Sequence, residues 1–166
     1  MIYKACILLG SNLEDRYGLL QTAEQYIQAG IGKIVRTSST YATKAWGLKE
    51  QPDFLNKVIQ LETTLAPLEV LERLLSIENK MGRTRTEKWG ARLIDLDLLF
   101  YDTLVYKDAE LTIPHPGIPY RKFTLVPMLE ILPEFIHPVF GKTIRELAEK
   151  CEDESEVTRI ILPVDE

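Results

Sequence analysis

The chain has 166 residues, 45% hydrophobic and 27% charged, with 25 acidic against 20 basic side chains and a net charge of −5. Those proportions exclude disordered, collagenous and fibrous chains; no apolar run nears the roughly 18 residues of a membrane span; and the acidic balance argues against a general nucleic-acid binder. The length predicts one domain over residues 1–166, and two cysteines without metal-type spacing, Cys6 and Cys151, point to a reducing cytoplasm rather than a disulfide framework.

Residues 5–9 form a short apolar run ending at Gly10 and predict a buried strand. Ser11 and Asn12 then offer cap-type oxygens, and Leu13, Tyr17, Leu20, Ala23 and Ile27 recur at helical spacing before Gly30 and Gly32 stop the helix. A β-branched stretch, 34–41, and an alternating stretch, 54–64, predict two more strands. Pro67 suits the first turn of a second helix, whose stripe is Val70, Leu74, Ile77 and Met81 and whose end is Gly82. Residues 93–101 predict a fourth strand, with Ile94, Leu96, Leu98 and Phe100 on the face that meets the helices. The order is β-α-β-β-α-β, the middle strands antiparallel: an α+β, ferredoxin-like core. Beyond residue 102, six prolines from Pro114 to Pro138 break an irregular C-terminal extension into short pieces, with a short helix expected at 143–150 and a late strand at 157–162.

Two segments fit neither helix nor strand: 43–53, with Trp46 and Gly47, and 82–91, with Trp89. Glycine-bearing loops that carry aromatic and cationic groups are frequent binding loops, although a tryptophan can equally cover a core edge. The second segment leads into Asp95-Leu96-Asp97. Alternate strand residues share a face, so both carboxylates point the same way, about 7 Å apart at the backbone. Alone, such a pair is more often two solvated acids than a metal site. Its context changes the weighting. Arg83, Arg85 and Arg92 flank it, and carboxylates for a hard cation beside guanidinium forks for phosphate oxygens are the two halves of a metal–nucleotide site. The common glycine-rich phosphate cradles and kinase motifs are absent from the sequence. Glu78 beside the second helix's stripe reads as a pocket rim or a boundary residue; His115 in a proline-flanked stretch can reach a phosphate, whereas His137 reads as structural. Phe54, Asn56 and Phe123 can sandwich and hydrogen-bond a flat heterocycle if the fold brings them together.

Four ordered motifs then converge. Lys88-Trp89-Gly90-Ala91-Arg92-Leu93-Ile94-Asp95-Leu96-Asp97, Leu9-Gly10-Ser11-Asn12-Leu13, Gln51-Pro52-Asp53-Phe54-Leu55-Asn56 and Leu111-Thr112-Ile113-Pro114-His115-Pro116 resemble the 6-hydroxymethyl-7,8-dihydropterin pyrophosphokinase family of folate biosynthesis, in order, from the first strand to about Pro138. The resemblance implies the ferredoxin-like fold and transfer of pyrophosphate from ATP to the pterin hydroxymethyl group, releasing AMP. It implies two magnesium ions on Asp95 and Asp97, and catalytic roles for these two with Arg83 and Arg92. It implies ATP contacts from Glu78, Arg83, Arg85, Trp89, Arg92, Leu98, Thr112, His115 and Arg121. It implies pterin contacts from Thr43, Lys44, Trp46, Phe54, Asn56, Asp95 and Phe123. The sequence departs from the family pattern at Phe54, where a tyrosine is frequent, and at Ala91 and Pro116. A nucleotide sensor without chemistry is the alternative; an RNA-binding ferredoxin-like domain fares worst against the negative charge. A monomer is expected, since no extended apolar stripe is left unassigned.

Overall fold

The structure, a computed structural model, describes residues 1–11, 16–44, 53–82 and 94–161. Strand β1 (Tyr3–Ser11) leads through helix α1 (Arg16–Gly30) to β2 (Lys33–Thr37), β3 (Thr40–Thr43) and β4 (Phe54–Thr63); helix α2 (Pro67–Gly82) then returns the chain to β5 (Asp95–Tyr101). The sheet order is β5-β1-β4-β3, with β2 also on β4, and each of these pairings is antiparallel. This is the ferredoxin-like arrangement that the element order predicts.

Both helices form where their periodicity places them. Leu20, Ala23 and Ile27 are buried on α1, and Val70, Leu74, Ile77 and Met81 on α2. They meet Ala5, Ile7 and Leu9 of β1, Leu55, Ile59 and Leu61 of β4, and Leu96 and Leu98 of β5 in one apolar core. At the end of α1, the N–H groups of Ile31 and Gly32 both reach the Ile27 carbonyl. Gly32 is required there because a Cβ would lie 2.1 Å from the Glu62 carbonyl oxygen.

The expected strand over 34–41 is two strands. Ser38 interrupts it: its N–H donates to Val58 O and its hydroxyl accepts from Val58 N–H, both at 2.9 Å, while Ser39 turns to Glu130. The fourth strand also departs from simple alternation. The register with β1 shifts between Cys6 and Ile7, so Phe100 pairs with Cys6 and Leu98 with Ile7, leaving Leu99 as an extra residue. A bulge of this kind reverses the alternation beyond it. Phe100 therefore joins Leu99 on the face away from α1 and α2 and not, as expected, the Leu98 side. Ser11 is the last residue of β1, and the other expected start residues of α1, Asn12 and Leu13, lie outside the described residues.

The C-terminal extension covers part of that second face. A hairpin, β6 (Tyr106–Lys107) with β7 (Thr112–Ile113), precedes a 3-10 turn (Ile118–Tyr120), helices α3 (Lys122–Ile131) and α4 (Ile144–Lys150), and β8 (Val157–Ile160), which pairs with β3. The α4 helix begins with a capping box between Thr143 and Glu146. Helix α3 was not expected, because Pro127 reads as a breaker. It lies inside the helix, where it removes one backbone bond but is buried beside Thr124, Leu125 and Met128. Burial of that apolar face outweighs the lost bond. No helix among the described residues is long and apolar enough to cross a membrane.

Candidate active site

The uncovered end of the second face holds the polar residues. In register across the sheet, Asp95 lies beside Gly10, Gly10 beside Asn56 and Asn56 beside Tyr41; two pairs along, Asp97 lies beside Leu8. Asp95 and Asp97 are half-buried and share this face, as the alternation predicts. Gly10 has no Cβ for a steric reason: an added Cβ would lie 2.6 Å from Asn56 Nδ2. The glycine lets the nearly buried Asn56 amide lie across the sheet, where Nδ2 donates to Leu9 O at 3.4 Å.

Two cavities open on either side of Asp97. The larger, about 780 Å³, is walled by Thr43, Lys44, Phe54 and Asn56 on one side and Arg121 and Phe123 on the other, with Asp95 and Asp97 at its floor. Phe54 is 39% exposed, so its ring is available to a ligand. Thr43 Oγ1 is buried without a hydrogen-bond partner among the described residues. A buried hydroxyl in that state costs about 1–3 kcal/mol, which a polar ligand edge in this cavity would recover. The smaller cavity, about 270 Å³, is formed by Leu71, Leu75 and Glu78 of α2, Leu96 to Leu98 of β5, and Leu111, Thr112 and His115. Glu78 holds the strand edge here, Oε2 accepting from Leu96 N–H at 2.7 Å.

His115 is set by two hydrogen bonds. Its own N–H donates to Leu99 O at 3.0 Å, and its Nδ1 accepts from Gly117 N–H at 3.0 Å. Burial lowers its pKa below the usual histidine value; the Asp97 charge opposes this and the Arg121 charge adds to it. The neutral ring thus carries its proton on Nε2, a donor for an anionic ligand. Cys6, by contrast, is inert: burial pushes its thiol up to about 12.

The sequence-derived residues fall into three sets. Thr43, Lys44, Phe54, Asn56, Asp95 and Phe123 line the larger cavity; Glu78, Leu98, Thr112 and His115 line the smaller; Asp97 lines both. Arg121, expected among the nucleotide contacts, lines the larger cavity, with its guanidinium 5.7 Å from the Phe123 ring centre. Trp46, Arg83, Arg85, Trp89 and Arg92 lie outside the described residues. Sequence reading missed Tyr120, Asp153 and Ser155 in the larger cavity. Asp153 fastens this wall: Oδ2 accepts from Lys122 N–H at 2.9 Å and Oδ1 from Ser155 N–H at 2.9 Å. Among the described residues, no cluster of three or more carboxylate, imidazole or thiolate groups could hold a metal unaided. The donor set is two carboxylates, which suits a hard cation that takes its remaining ligands from phosphates and water.

Comparisons with known proteins agree with this geometry. Residues 6–133 match the model of the 7,8-dihydro-6-hydroxymethylpterin-pyrophosphokinase family. A Synechocystis protein named 2-amino-4-hydroxy-6-hydroxymethyldihydropteridine pyrophosphokinase is 45% identical over 150 residues, 89% of this chain and 76% of its own length. An Aquifex aeolicus protein of the same name is 38% identical over 138 residues, 83% of this chain and 86% of its own. Among solved structures, a Plasmodium falciparum HPPK-DHPS chain superposes with a TM-score of 0.74 at 18% identity, covering 90% of this chain and 45% of that one. At that identity the superposition speaks for the fold; this chain spans under half of the longer protein. The family match over most of the chain, together with two relatives matched over at least three quarters of their length, is decisive: the chain belongs to the 7,8-dihydro-6-hydroxymethylpterin-pyrophosphokinase family.

Proposed function

We propose that the chain transfers pyrophosphate from ATP to the hydroxymethyl group of 6-hydroxymethyl-7,8-dihydropterin and releases AMP, as a folate-biosynthesis enzyme of the cytoplasm. The single observation that carries this reading is Asp97, which lines both cavities. A transfer between two bound substrates needs their reacting atoms to meet, and the shared carboxylate marks where two ligands in these cavities would meet.

In this reading the pterin ring lies in the larger cavity between Phe54 and Phe123. Asn56 and Thr43 Oγ1 supply the polar partners of its edge. The nucleotide takes the smaller cavity, with Leu98 against the base and Thr112 and His115 Nε2 toward the phosphates. The hydroxymethyl oxygen attacks the β-phosphorus and gives up its proton to solvent, the bond from that phosphorus to the α–β bridging oxygen breaks, and AMP leaves with that electron pair. Such transfers depend chiefly on positioning and charge neutralisation. Asp95 and Asp97 would hold magnesium, which when bound neutralises phosphate oxygens and aligns an in-line displacement; we read two ions, one for each side of the transfer. Arg121 in the wall of the larger cavity adds fixed positive charge that no pH change removes. One chain contains both cavities, which supports a monomer, and the sheet running unbroken from β5 to β8 supports a single catalytic domain.

Chromatography of nucleotide products tests the reading. The chain is incubated with ATP and magnesium, with and without 6-hydroxymethyl-7,8-dihydropterin. The expected result is pterin-dependent AMP without ADP. ADP would make it an ordinary kinase, and bound but unturned ATP would make it a sensor.

A further inference from the structure

Gly117 stands where nothing in the backbone calls for glycine. Its φ of −81° and ψ of −9° are right-handed values open to every residue. The reason for a missing side chain is the space in front of it. A Cβ at Gly117 would lie 2.7 Å from Nε, 2.8 Å from Cζ and 3.1 Å from Cδ of Arg121. The guanidinium therefore rests against a bare α-carbon on one side, with the Phe123 ring 5.7 Å away. The same glycine donates its N–H to His115 Nδ1.

We propose that Gly117 is a positioning residue for the transfer: its absent side chain seats the Arg121 guanidinium in the wall of the larger cavity, which shares Asp97 with the smaller one, while its N–H fixes the orientation of His115. The inference rests on the proposed function and adds to it the element that aims the arginine. Arg121 lines the larger cavity beside Asp97, and its charge is felt at His115 in the smaller one. A group so placed meets the phosphoryl charge as it moves from one ligand to the other. Misplacement by about 1 Å can cost on the order of 10²-fold in rate.

The atoms a Cβ would strike belong to the end of a flexible side chain. Gly117→Ala is therefore accommodated by rotation of Arg121 into another staggered rotamer, with no backbone shift. The N–H remains, so His115 keeps its orientation. The test compares Gly117→Ala, Arg121→Ala and the double variant, reading kcat, both KM values and thermal melting. The expected result for Gly117→Ala is a roughly 10-fold or larger fall in kcat, with the melting temperature unchanged. The double variant should be no worse than Arg121→Ala, because Gly117 acts through that residue. Wild-type activity in Gly117→Ala beside an impaired Arg121→Ala overturns the inference and leaves the functional reading standing. Additive losses in the double variant, a lowered melting temperature in Gly117→Ala, or an unimpaired Arg121→Ala also overturn it. Failure of the functional reading is distinct: the unaltered chain would yield no pterin-dependent AMP.

Discussion

One face of the sheet is apolar and covered at one end, polar and open at the other, and the same three strands build both ends. At the covered end Cys6 and Leu8 of β1, Val58 of β4, and Leu99 and Phe100 of β5 meet Ile118, Leu125, Met128, Ile144 and Leu147 of the C-terminal extension. Two to four residues along each strand, the same face carries Gly10, then Asn56 and Phe54, then Asp97 and Asp95. The difference shows how a site of this kind is made rigid. Phe54, Asn56, Asp95 and Asp97 sit on strands whose neighbouring residues are locked in a core, which holds their aim. The open end keeps the costs of a site: half-buried carboxylates and a buried threonine hydroxyl without a partner among the described residues. The covered end supplies the stability that tolerates them.

Changes at the two ends should separate function from stability. Asp97→Asn removes the carboxylate shared by both cavities, and we expect a loss of about 10³-fold or more in kcat with an unchanged melting temperature; steady-state kinetics beside calorimetry checks both. Leu125→Ala should do the reverse. Leu125 is fully buried, so its truncation should cost about 2–5 kcal/mol in urea unfolding while KM for each substrate stays put. Phe54→Ala comes next. Its ring is 39% exposed and adds little to the fold, whereas an aromatic stack on a heterocycle is worth about 1–3 kcal/mol; the pterin KM should rise accordingly, without change in that for ATP.

The smallest effect concerns pH, and it touches both ends. His115 at the open end and His137 at the covered end have pKa values lowered chiefly by burial. His137 is packed against Phe100 and Phe140, and its Nδ1 accepts from Val139 N–H. The unfolded chain protonates both rings near the ordinary histidine value of about 6.5, while the folded chain resists. Stability is therefore fully present above that value and falls as pH drops below it. The urea midpoint should decrease from about pH 8 to about pH 5.5, and His137→Asn, which keeps an acceptor for the turn, should shrink the decrease.

Legibility of the sequence followed the range of the interactions. Helix α2 was readable to its bounds because Val70, Leu74, Ile77 and Met81 repeat at helical spacing between Pro67 and Gly82. The break between β2 and β3 was not, because Ser39 turns away to accommodate Glu130, a residue 91 positions on. Helix α3 was hidden by Pro127, a local breaker overruled by tertiary burial. On the site, Asp95 and Asp97 were placed on one face by alternation, and Phe54 and Asn56 were marked by their motif. Asp153 and Ser155 carried no such mark. They reach the larger cavity because β8 pairs with β3 and because Asp153 caps the start of α3, and neither fact has a local signature. Gly10 was visible as the end of a strand, but its steric reason, the Asn56 amide across the sheet, is a contact 46 residues away in a partner strand.

A crystal structure with magnesium, a non-hydrolysable ATP analogue and 6-hydroxymethylpterin would show whether the two ligands meet at Asp97. We expect the pterin between Phe54 and Phe123, the adenine beside Leu98, and metal on Asp95 and Asp97 between them. A nucleotide seated in the larger cavity, or metal bound away from Asp97, would contradict this arrangement.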